Sequence, residues 1–238
     1  MTRIAETFRR MWAMALPAVA AIILGGCSEG DDENRSVVAT LYDVAEVIEA
    51  GEETTVFEVY RPDAAEGAVL TADGSLFSES DEVEPGHCVF LAYQPHSGEP
   101  YTSGAISVLG WGKAHNEALL QSEPEHLADW NRDPVWLQSL WRAGDKVILR
   151  TMLTYDSEPR VFALVLDKTT LAHEYPEAYL VHNRKTDRPN FKRQFYAAFD
   201  VGALWSYPSC RGLRIHVNNS NLPEANLFVV DNPRAGQK

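Results

Sequence analysis

The chain has 238 residues, with 34 acidic and 21 basic side chains and a formal net charge of −13. An acidic balance of this size repels nucleic acid, whose binders need a basic footprint, so the charge excludes nucleic acid as a partner. The length is enough for one large domain or two small ones beyond a targeting segment.

The N-terminal segment has the composition of a secretion signal. Arg3, Arg9 and Arg10 precede an uncharged apolar run over residues 11–24. This run is shorter than the about 20 residues that a transmembrane helix needs. It also has no polar face, which a helix on the surface of a folded domain would need. The pattern therefore favours a signal peptide over a membrane span or a core helix.

The end of this segment predicts a lipid anchor. Leu24-Gly25-Gly26-Cys27 resembles a bacterial lipobox, in which the cysteine thiol is acylated and becomes the first residue of the mature protein. We predict a signal peptide over residues 1–26, cleaved between Gly26 and Cys27, with lipid attached to Cys27. The alternative is an ordinary cleaved signal, which would end in an Ala-x-Ala-like site and would not require the cysteine.

Residues 27–35 form the predicted tether between the anchor and the folded part. The stretch Ser28-Glu29-Gly30-Asp31-Asp32-Glu33-Asn34 is acidic, polar and free of side chains that could pack. It resembles the acidic stretch of Bacteroidetes lipoproteins that favours export to the outer leaflet, although a generic solvated linker explains it equally well. Ser28, in place of aspartate, argues against retention at the inner membrane. We expect an outer-membrane lipoprotein, with the periplasmic and the surface-exposed leaflet both left open as its location.

The mature chain is more acidic than the whole chain. Leaving out residues 1–26 removes Glu6 and three arginines, so 33 acidic and 18 basic residues remain and the net charge is −15. We expect this charge to keep an envelope protein soluble and to repel anionic membrane surfaces.

Short strand patterns dominate residues 36–112 and predict a small OB-like β-barrel. The predicted strands cover residues 36–42, 54–60, 87–93 and 105–111, together with a hairpin in which Val69-Leu70 and Leu76-Phe77 flank Asp73-Gly74. Residues 113–132 are polar and weakly helical, so we predict a linker there.

Residues 133–232 predict an antiparallel β-sandwich, followed by a tail over residues 233–238. Val147, Leu149, Thr151, Leu153 and Tyr155 alternate with Ile148, Arg150, Met152 and Thr154. After a turn at Ser157-Glu158-Pro159, residues 161–166 are predicted to return as the antiparallel partner of this strand. Further strands are predicted over residues 195–201, 213–217 and 227–230, with a short helical turn within residues 200–205.

Three motifs in the second half resemble a known family. They are Asp133-Pro134-Val135-Trp136 followed by Gly144-Asp145-Lys146, Leu180-Val181-His182-Asn183-Arg184 with Asp187-Arg188-Pro189, and Phe195-Tyr196-Ala197-Ala198-Phe199-Asp200. These motifs are similar to those of NigD-like lipoproteins of the Bacteroidetes type. The resemblance implies an N-terminal OB-like domain and a C-terminal β-sandwich behind a lipoprotein signal. It is stronger in residues 133–205 than in residues 36–112.

No catalytic, cofactor-binding or metal-binding motif stands out in the sequence. The seven histidines lack a His-Glu-x-x-His motif, and Cys-x-x-Cys is missing. His182 and His216 both lie on predicted strands and could be neighbours across a sheet, but we favour structural histidines over metal ligands. With Cys27 lipidated, Cys88 and Cys210 remain, and two free or buried thiols are favoured over a disulfide. We therefore expect no enzyme activity and no cofactor.

Two groups of polar and aromatic residues are candidates for ligand contact. Asn183 and Asp187 could touch a ligand from a loop, but hydrogen bonds from their side chains to the backbone of a hairpin connection are favoured. Four tryptophans could form a stacking platform for sugars or could fill the core and the domain boundary. They are Trp130, Trp136, Trp141 and Trp205.

The sequence thus predicts a lipid-anchored protein that binds or scaffolds. We expect an envelope protein or a peptide as its partner, engaged through a sheet edge or a groove between the domains. The alternative is a surface glycan-binding module, which requires exposed aromatic side chains in one plane.

Overall fold

The computed structural model describes residues 39–62, 64, 66–155, 160–185 and 190–236. Its first half is a closed barrel of five strands. They are β1 (Leu41–Ala50), β2 (Thr54–Val59), β3 (Ala68–Asp73), β4 (Cys88–Pro95) and β5 (Gly104–Lys113), with a 3-10 helix at Glu79–Asp81. The strand order is β1-β2-β3-β5-β4, and β4 pairs back with β1. Only the β3–β5 pairing of the barrel is parallel.

Alternation along the barrel strands fills the barrel interior. Thr55, Phe57 and Val59 of β2 are buried, and the residues between them are half-buried. Phe57 contributes to a core with Leu91 and Tyr93 of β4. A closed sheet with a side-chain core agrees with the predicted OB-like barrel.

The predicted hairpin at Asp73-Gly74 is wrong. Gly74 does turn the chain, with a φ of +80° that glycine tolerates. However, Leu76 and Phe77 do not form a strand, and they pack against the barrel core instead. The parallel partner of β3 is β5, from the far end of the barrel sequence.

The second half of the fold is a sandwich of two sheets. Its strands are β6 (His115–Ala118), β7 (Leu120–Ser122), β8 (Trp136–Ala143), β9 (Lys146–Tyr155), β10 (Val161–Asp167), β11 (Glu177–Asn183), β12 (Phe191–Asp200), β13 (Gly212–His216) and β14 (Leu227–Asp231). Its helices are α1 (Pro124–Leu127), α2 (Gly202–Trp205) and a 3-10 helix at Lys168–Thr170. One sheet has the order β14-β13-β11-β10-β7, and the other has the order β6-β12-β9-β8.

The sandwich core lies between the two sheets. Val147, Leu149 and Leu153 of β9 face Leu164 and Leu166 of β10 in one buried cluster. The alternation predicted for β9 is confirmed, and so is the short helical turn, which is α2. In the described part of the chain, no helix has the length and apolar character needed to cross a membrane.

Three predictions about this half need correction. The sandwich is not purely antiparallel, because β7–β10, β11–β13 and β6–β12 are parallel pairs. Val161–Asp167 does not pair with β9 but crosses to the other sheet, where both of its faces are covered. The predicted linker over residues 113–132 supplies β6 to one sheet and β7 to the other, so its first part is a structural element of the sandwich.

Several predictions lie outside the described residues. They are the signal peptide over residues 1–26, the lipidated Cys27, the tether over residues 27–35, the turn at Ser157-Glu158-Pro159 and the segment Asp187-Arg188-Pro189. Of the predicted tail, residues 233–236 are described, and Arg234 forms an ion pair with Asp145 there.

Candidate functional site

The barrel packs against the outer face of the four-stranded sheet through apolar side chains, most of which are small. Cys88 of β4 is buried together with Ala143, Ile148 and Ala198 of the sheet. Half-buried Trp141 packs against this cluster. The small side chains allow a close approach of the backbones, so barrel and sandwich form one compact unit.

Two polar groups fasten the same junction. The side-chain amide of Asn116 donates to the Cys88 carbonyl at 3.0 Å, and its oxygen accepts from the Cys88 backbone N–H at 2.6 Å. Lys146 Nζ lies 3.4 Å from Glu46 of the barrel and 3.4 Å from Asp200 of the sandwich. Burial acts to lower the pKa of Lys146, but the two carboxylates outweigh it and raise that pKa. Lys146 is therefore a charged link between the two halves.

A groove of about 420 Å³ opens at the edge of this junction. Its lining includes Tyr42, Val44 and Phe90 from the barrel and Trp141, Arg150 and Tyr196 from the sheet.

Stacked aromatic rings form one side of the groove. The ring centroids of Tyr42 and Phe90 lie 6.1 Å apart, and those of Phe90 and Tyr196 lie 4.8 Å apart. The Arg150 guanidinium carbon lies 6.0 Å from the Tyr196 centroid. Tyr42 is 55% exposed, so aromatic surface at the outer end of this stack is available to a ligand.

The acidic group of the groove is held by the barrel. The Asp43 carboxylate accepts hydrogen bonds from the hydroxyls of Tyr93 at 3.0 Å and Tyr101 at 3.2 Å. Burial raises the pKa of Asp43, and the two tyrosine hydrogen bonds partly oppose that rise. Both carboxylate oxygens thus have partners within the barrel, which fixes the position of Asp43 at the groove.

The structure brings two of the four predicted tryptophans onto one face. Trp136 is 44% exposed on β8, and Trp141 projects from the same face of that strand into the groove. Trp205 is buried in the sandwich core, and Trp130 packs half-buried against the five-stranded sheet. The prediction that Trp130 and Trp205 belong to a sugar-stacking surface is therefore wrong. Trp136 and Trp141 remain candidates for such a surface.

Sequence reasoning missed the aromatic stack of the groove. Tyr42, Phe90 and Tyr196 are distant in sequence, and each is an ordinary aromatic residue on a strand. One sign was present, because Tyr196 alternates with apolar Phe195 and Ala197 and so belongs to the outer face of the sheet. The sequence did not indicate that Phe90 of the barrel would pack against Tyr196.

His182 is a structural histidine, as predicted. It is 1% exposed, its Nε2 accepts from Arg160 at 2.9 Å, and its Nδ1 donates to the Asp133 carbonyl at 3.2 Å. His216 is not its neighbour across the sheet, because His216 pairs with Tyr179 and His182 pairs with Phe162.

Acidification is expected to destabilise the fold through His182. Burial and then the Arg160 charge lower the pKa of His182 from its usual value of 6.5. The unfolded chain therefore takes up this proton at a higher pH than the folded chain. The contribution of His182 to stability is complete above pH 6.5 and is lost as the pH falls toward the lower pKa of the folded state.

The check is the free energy of unfolding of wild type and His182→Gln between about pH 5 and 8. We expect the unfolding free energy to change more steeply with pH in wild type than in His182→Gln. The difference in slope should be at most about 1.4 kcal/mol per pH unit, which is the limit for one proton. Equal slopes in the two proteins would contradict this role of His182.

The remaining candidates have structural partners. Asn183 Oδ1 accepts from the Lys185 backbone N–H at 2.8 Å, as the backbone interpretation predicted, whereas Asp187 lies outside the described residues. Cys88 and Cys210 are buried free thiols, and burial raises the pKa of Cys88 to about 12. Within the described ranges, no three His, Cys, Asp or Glu side chains are arranged to hold a metal ion.

No family model and no curated protein matches the sequence. The structure is similar to a protein of unknown function, DUF1344, from Bacteroides vulgatus, with a TM-score of 0.63 and 14% identity, over 84% of this chain and 93% of that one. It is also similar to a predicted lipoprotein from Bacteroides fragilis, with a TM-score of 0.56 and 10% identity, over 81% and 98% of the two chains.

A third similar structure is that of a NigD-like immunity protein from Bacteroides caccae. Its TM-score is 0.53 at 12% identity, and the likeness covers 83% of this chain and 93% of that one. At such low identity these likenesses show the fold alone. The chain shares its fold with a NigD-like immunity protein, so the fold that the NigD-like resemblance implied is confirmed.

Proposed function

We propose that the chain is a lipid-anchored protein of the cell envelope that binds or scaffolds a partner in the groove beside the barrel. Two observations support the anchor: the lipobox-like ending at Cys27 and the likeness of the fold to a predicted lipoprotein. The acidic residues after Cys27 support a place in the outer membrane, with the folded part at the cell surface.

The aromatic groove is the observation that carries the binding role. A protein that only spaces two others needs no open aromatic surface, yet Tyr42 presents its ring at 55% exposure. The walls of the groove come from both halves of the fold, which are packed firmly together. A site built on rigid elements binds with a small loss of conformational freedom.

A non-enzymatic role is supported by the positions of the titratable groups with shifted pKa values. Asp43 is held by two tyrosine hydroxyls, Lys146 by two carboxylates, and His182 by Arg160 and the Asp133 carbonyl. Each of these contacts stabilises the fold. The proposed activity is therefore binding, with a protein or a peptide segment as one class of partner and a surface glycan as the other.

Cys27→Ser is expected to release the protein from membranes. The serine hydroxyl does not replace the thiol that the lipid-transfer reaction requires, so the chain loses its anchor. The measurement combines metabolic labelling with a fatty acid and fractionation of cells into membrane and soluble parts. The control is Cys88→Ser, which leaves the lipobox intact and should keep both label and membrane association. Unchanged labelling of Cys27→Ser would contradict the anchor.

Site-specific photo-cross-linking tests the groove. A benzophenone amino acid at position 42 is expected to capture an envelope component in intact cells, because this position lies at the mouth of the groove. The matched control carries the same group in place of Tyr207, which is 43% exposed and lies away from the groove. An adduct at position 42 that is missing at position 207 supports the proposal. If positions 42 and 207 give the same amount of adduct, or if neither gives any, the proposed binding role of the groove is overturned.

A further inference from the structure

The groove continues into a shelf on the outer face of the four-stranded sheet. Residues that lie directly opposite each other on neighbouring strands project from the same face. Met152 of β9 lies opposite Trp136 on one side and Gln194 on the other, and Arg150 likewise lies between Ser139 and Tyr196. We call the exposed part of this face the shelf, defined by Trp136, Ser139, Arg150, Met152, Lys192 and Gln194.

Aromatic rings stand at both ends of the shelf. Trp136 is at the outer end, where the Lys192 ammonium lies 5.0 Å from its ring centroid. The groove, with Tyr42 and Trp141, is at the inner end. The β9 partners of Trp136 and Trp141 are Met152 and Ile148, so the two tryptophans are about 13 Å apart along the sheet. This spacing suits an extended ligand with several rings better than a single small molecule.

Hydrogen-bonding side chains occupy the space between the rings. Gln194 Nε2 donates to Gln138 Oε1 at 2.6 Å and to the Thr151 carbonyl at 2.9 Å, which fixes this amide in place. Arg150 and Ser139 are exposed beside it. Alternating aromatic rings and fixed polar groups match the alternating C–H faces and hydroxyl groups of a saccharide chain.

The charge of the shelf is opposite to that of the protein. The chain carries 34 acidic residues and a net charge of −13. None of the six shelf residues is acidic, while Arg150 and Lys192 are both basic and exposed. The groove beside the shelf has one carboxylate in its lining, Asp43, and both oxygens of this group accept hydrogen bonds from Tyr93 and Tyr101. The shelf is therefore complementary to an anionic ligand.

The middle of the shelf also favours a glycan over a peptide that binds by strand addition. A peptide bound by strand addition pairs its main chain with a free strand edge. The middle strand of the shelf, β9, is paired on both sides, so a ligand that lies over Arg150 and Met152 meets side chains only, whereas Trp136 and Ser139 lie on the edge strand β8. A saccharide needs no free strand edge, because stacking and hydrogen bonds from side chains on such a face are enough to bind it.

We infer that the shelf and the groove together bind an acidic oligosaccharide, one that contains hexuronic acid units. The inference rests on the proposed binding role of the groove and names the ligand class. The sugar rings stack on Trp136 and Tyr42, and the uronate carboxylates pair with Arg150 and Lys192.

The first test is an array of acidic and neutral oligosaccharides probed with the full chain purified in detergent. Binding to hexuronate-containing members is expected, and it should weaken as salt screens the charges. For the member that binds most tightly, calorimetric titration should give an affinity at least about tenfold above that of its methyl-esterified form, since a charge-assisted bond is lost. An array on which no acidic member binds, or on which neutral members bind equally well, would overturn the inference.

Matched variants locate the site. Trp136→Ala and Arg150→Gln are each expected to weaken binding by about tenfold, because a stacking or charged contact is lost. Tyr207→Ala and Arg211→Gln are the controls: both side chains are exposed and off the shelf, and affinity should not change. The thermal midpoints of all four variants should match that of wild type. Unchanged affinity in Trp136→Ala and Arg150→Gln would overturn the inference even if the ligand binds.

The photo-cross-link at position 42 separates the two proposals. An adduct with an acidic glycan supports both. An adduct with a protein supports the binding role of the groove but overturns the glycan as its ligand. Failure to obtain any adduct specific to position 42 overturns the binding role itself.

Discussion

Replacing Phe162 by alanine is expected to lower the free energy of unfolding by about 3 to 5 kcal/mol. Phe162 is 1% exposed, and its ring centroid lies 5.0 Å from that of Phe195 and 6.1 Å from that of Phe199. Removal of the ring leaves a cavity between two sheets whose backbones cannot collapse into it. The measurement is equilibrium unfolding in urea, supported by a fall in Tm of about 10 °C.

The control for this substitution is Val229→Ala. Val229 is 54% exposed on β14, so its truncation should change the free energy of unfolding by no more than about 0.5 kcal/mol. If Phe162→Ala costs no more than Val229→Ala, the packing described for the sandwich core is incorrect.

Lys146→Met is expected to cost about 3 kcal/mol of unfolding free energy, and the loss should come from the junction between barrel and sandwich. Its ammonium group pairs with Glu46 at 3.4 Å, where the two side chains are 8% and 21% exposed. Without the lysine, the Glu46 carboxylate is left half-buried and uncompensated. The second pair, to Asp200, contributes little because that carboxylate is 54% exposed.

A double variant distinguishes the ion pair from general damage. Lys146→Met combined with Glu46→Met should recover most of the loss, since replacing both members of a buried pair by apolar side chains is often neutral. Lys168→Met is the surface control, because its partner Glu123 is 47% exposed and the pair should be worth little. If Lys146→Met lowers the unfolding free energy no more than Lys168→Met does, the junction described between barrel and sandwich is incorrect.

The sequence predicted the elements that depend on local pattern. On β9, alternation correctly separated buried Val147 and Leu149 from outward-facing Arg150 and Met152. Burial on one face of a sheet imposes a period of two residues, and this period is visible in a single strand. The barrel and the sandwich were predicted in the right order from the number of short strands and from the turn residues between them.

Strand partners were harder to predict because they depend on distant residues. Val161–Asp167 follows β9 along the chain, yet it pairs with β11 and β7 in the other sheet. Its five consecutive buried residues indicate cover on both faces, but this pattern does not name the strands on either side. The parallel partners β6 and β12 are 82 residues apart in the chain, from His115 to Ala197, so the local pattern of either strand does not identify the other.

The candidate site could be predicted only in part. Trp136 and Trp141 were two of four tryptophans considered either for a stacking surface or for filling the core and the domain boundary, and the structure places both on one face of β8. The groove depends on Tyr42 and Phe90, which reach the sheet because Cys88, Ile148 and Ala198 pack the barrel against it. Such buried apolar residues look like ordinary core positions in the sequence. The contact between barrel and sandwich therefore has no recognisable sequence motif.

The most direct test of the groove and shelf as the ligand site is a crystal structure of the chain with the acidic oligosaccharide that binds most tightly on the array. We expect sugar rings stacked on Trp136 and Tyr42 and a uronate carboxylate within hydrogen-bond distance of Arg150 or Lys192. Oligosaccharide density elsewhere on the molecule, with the groove and shelf empty, would contradict it.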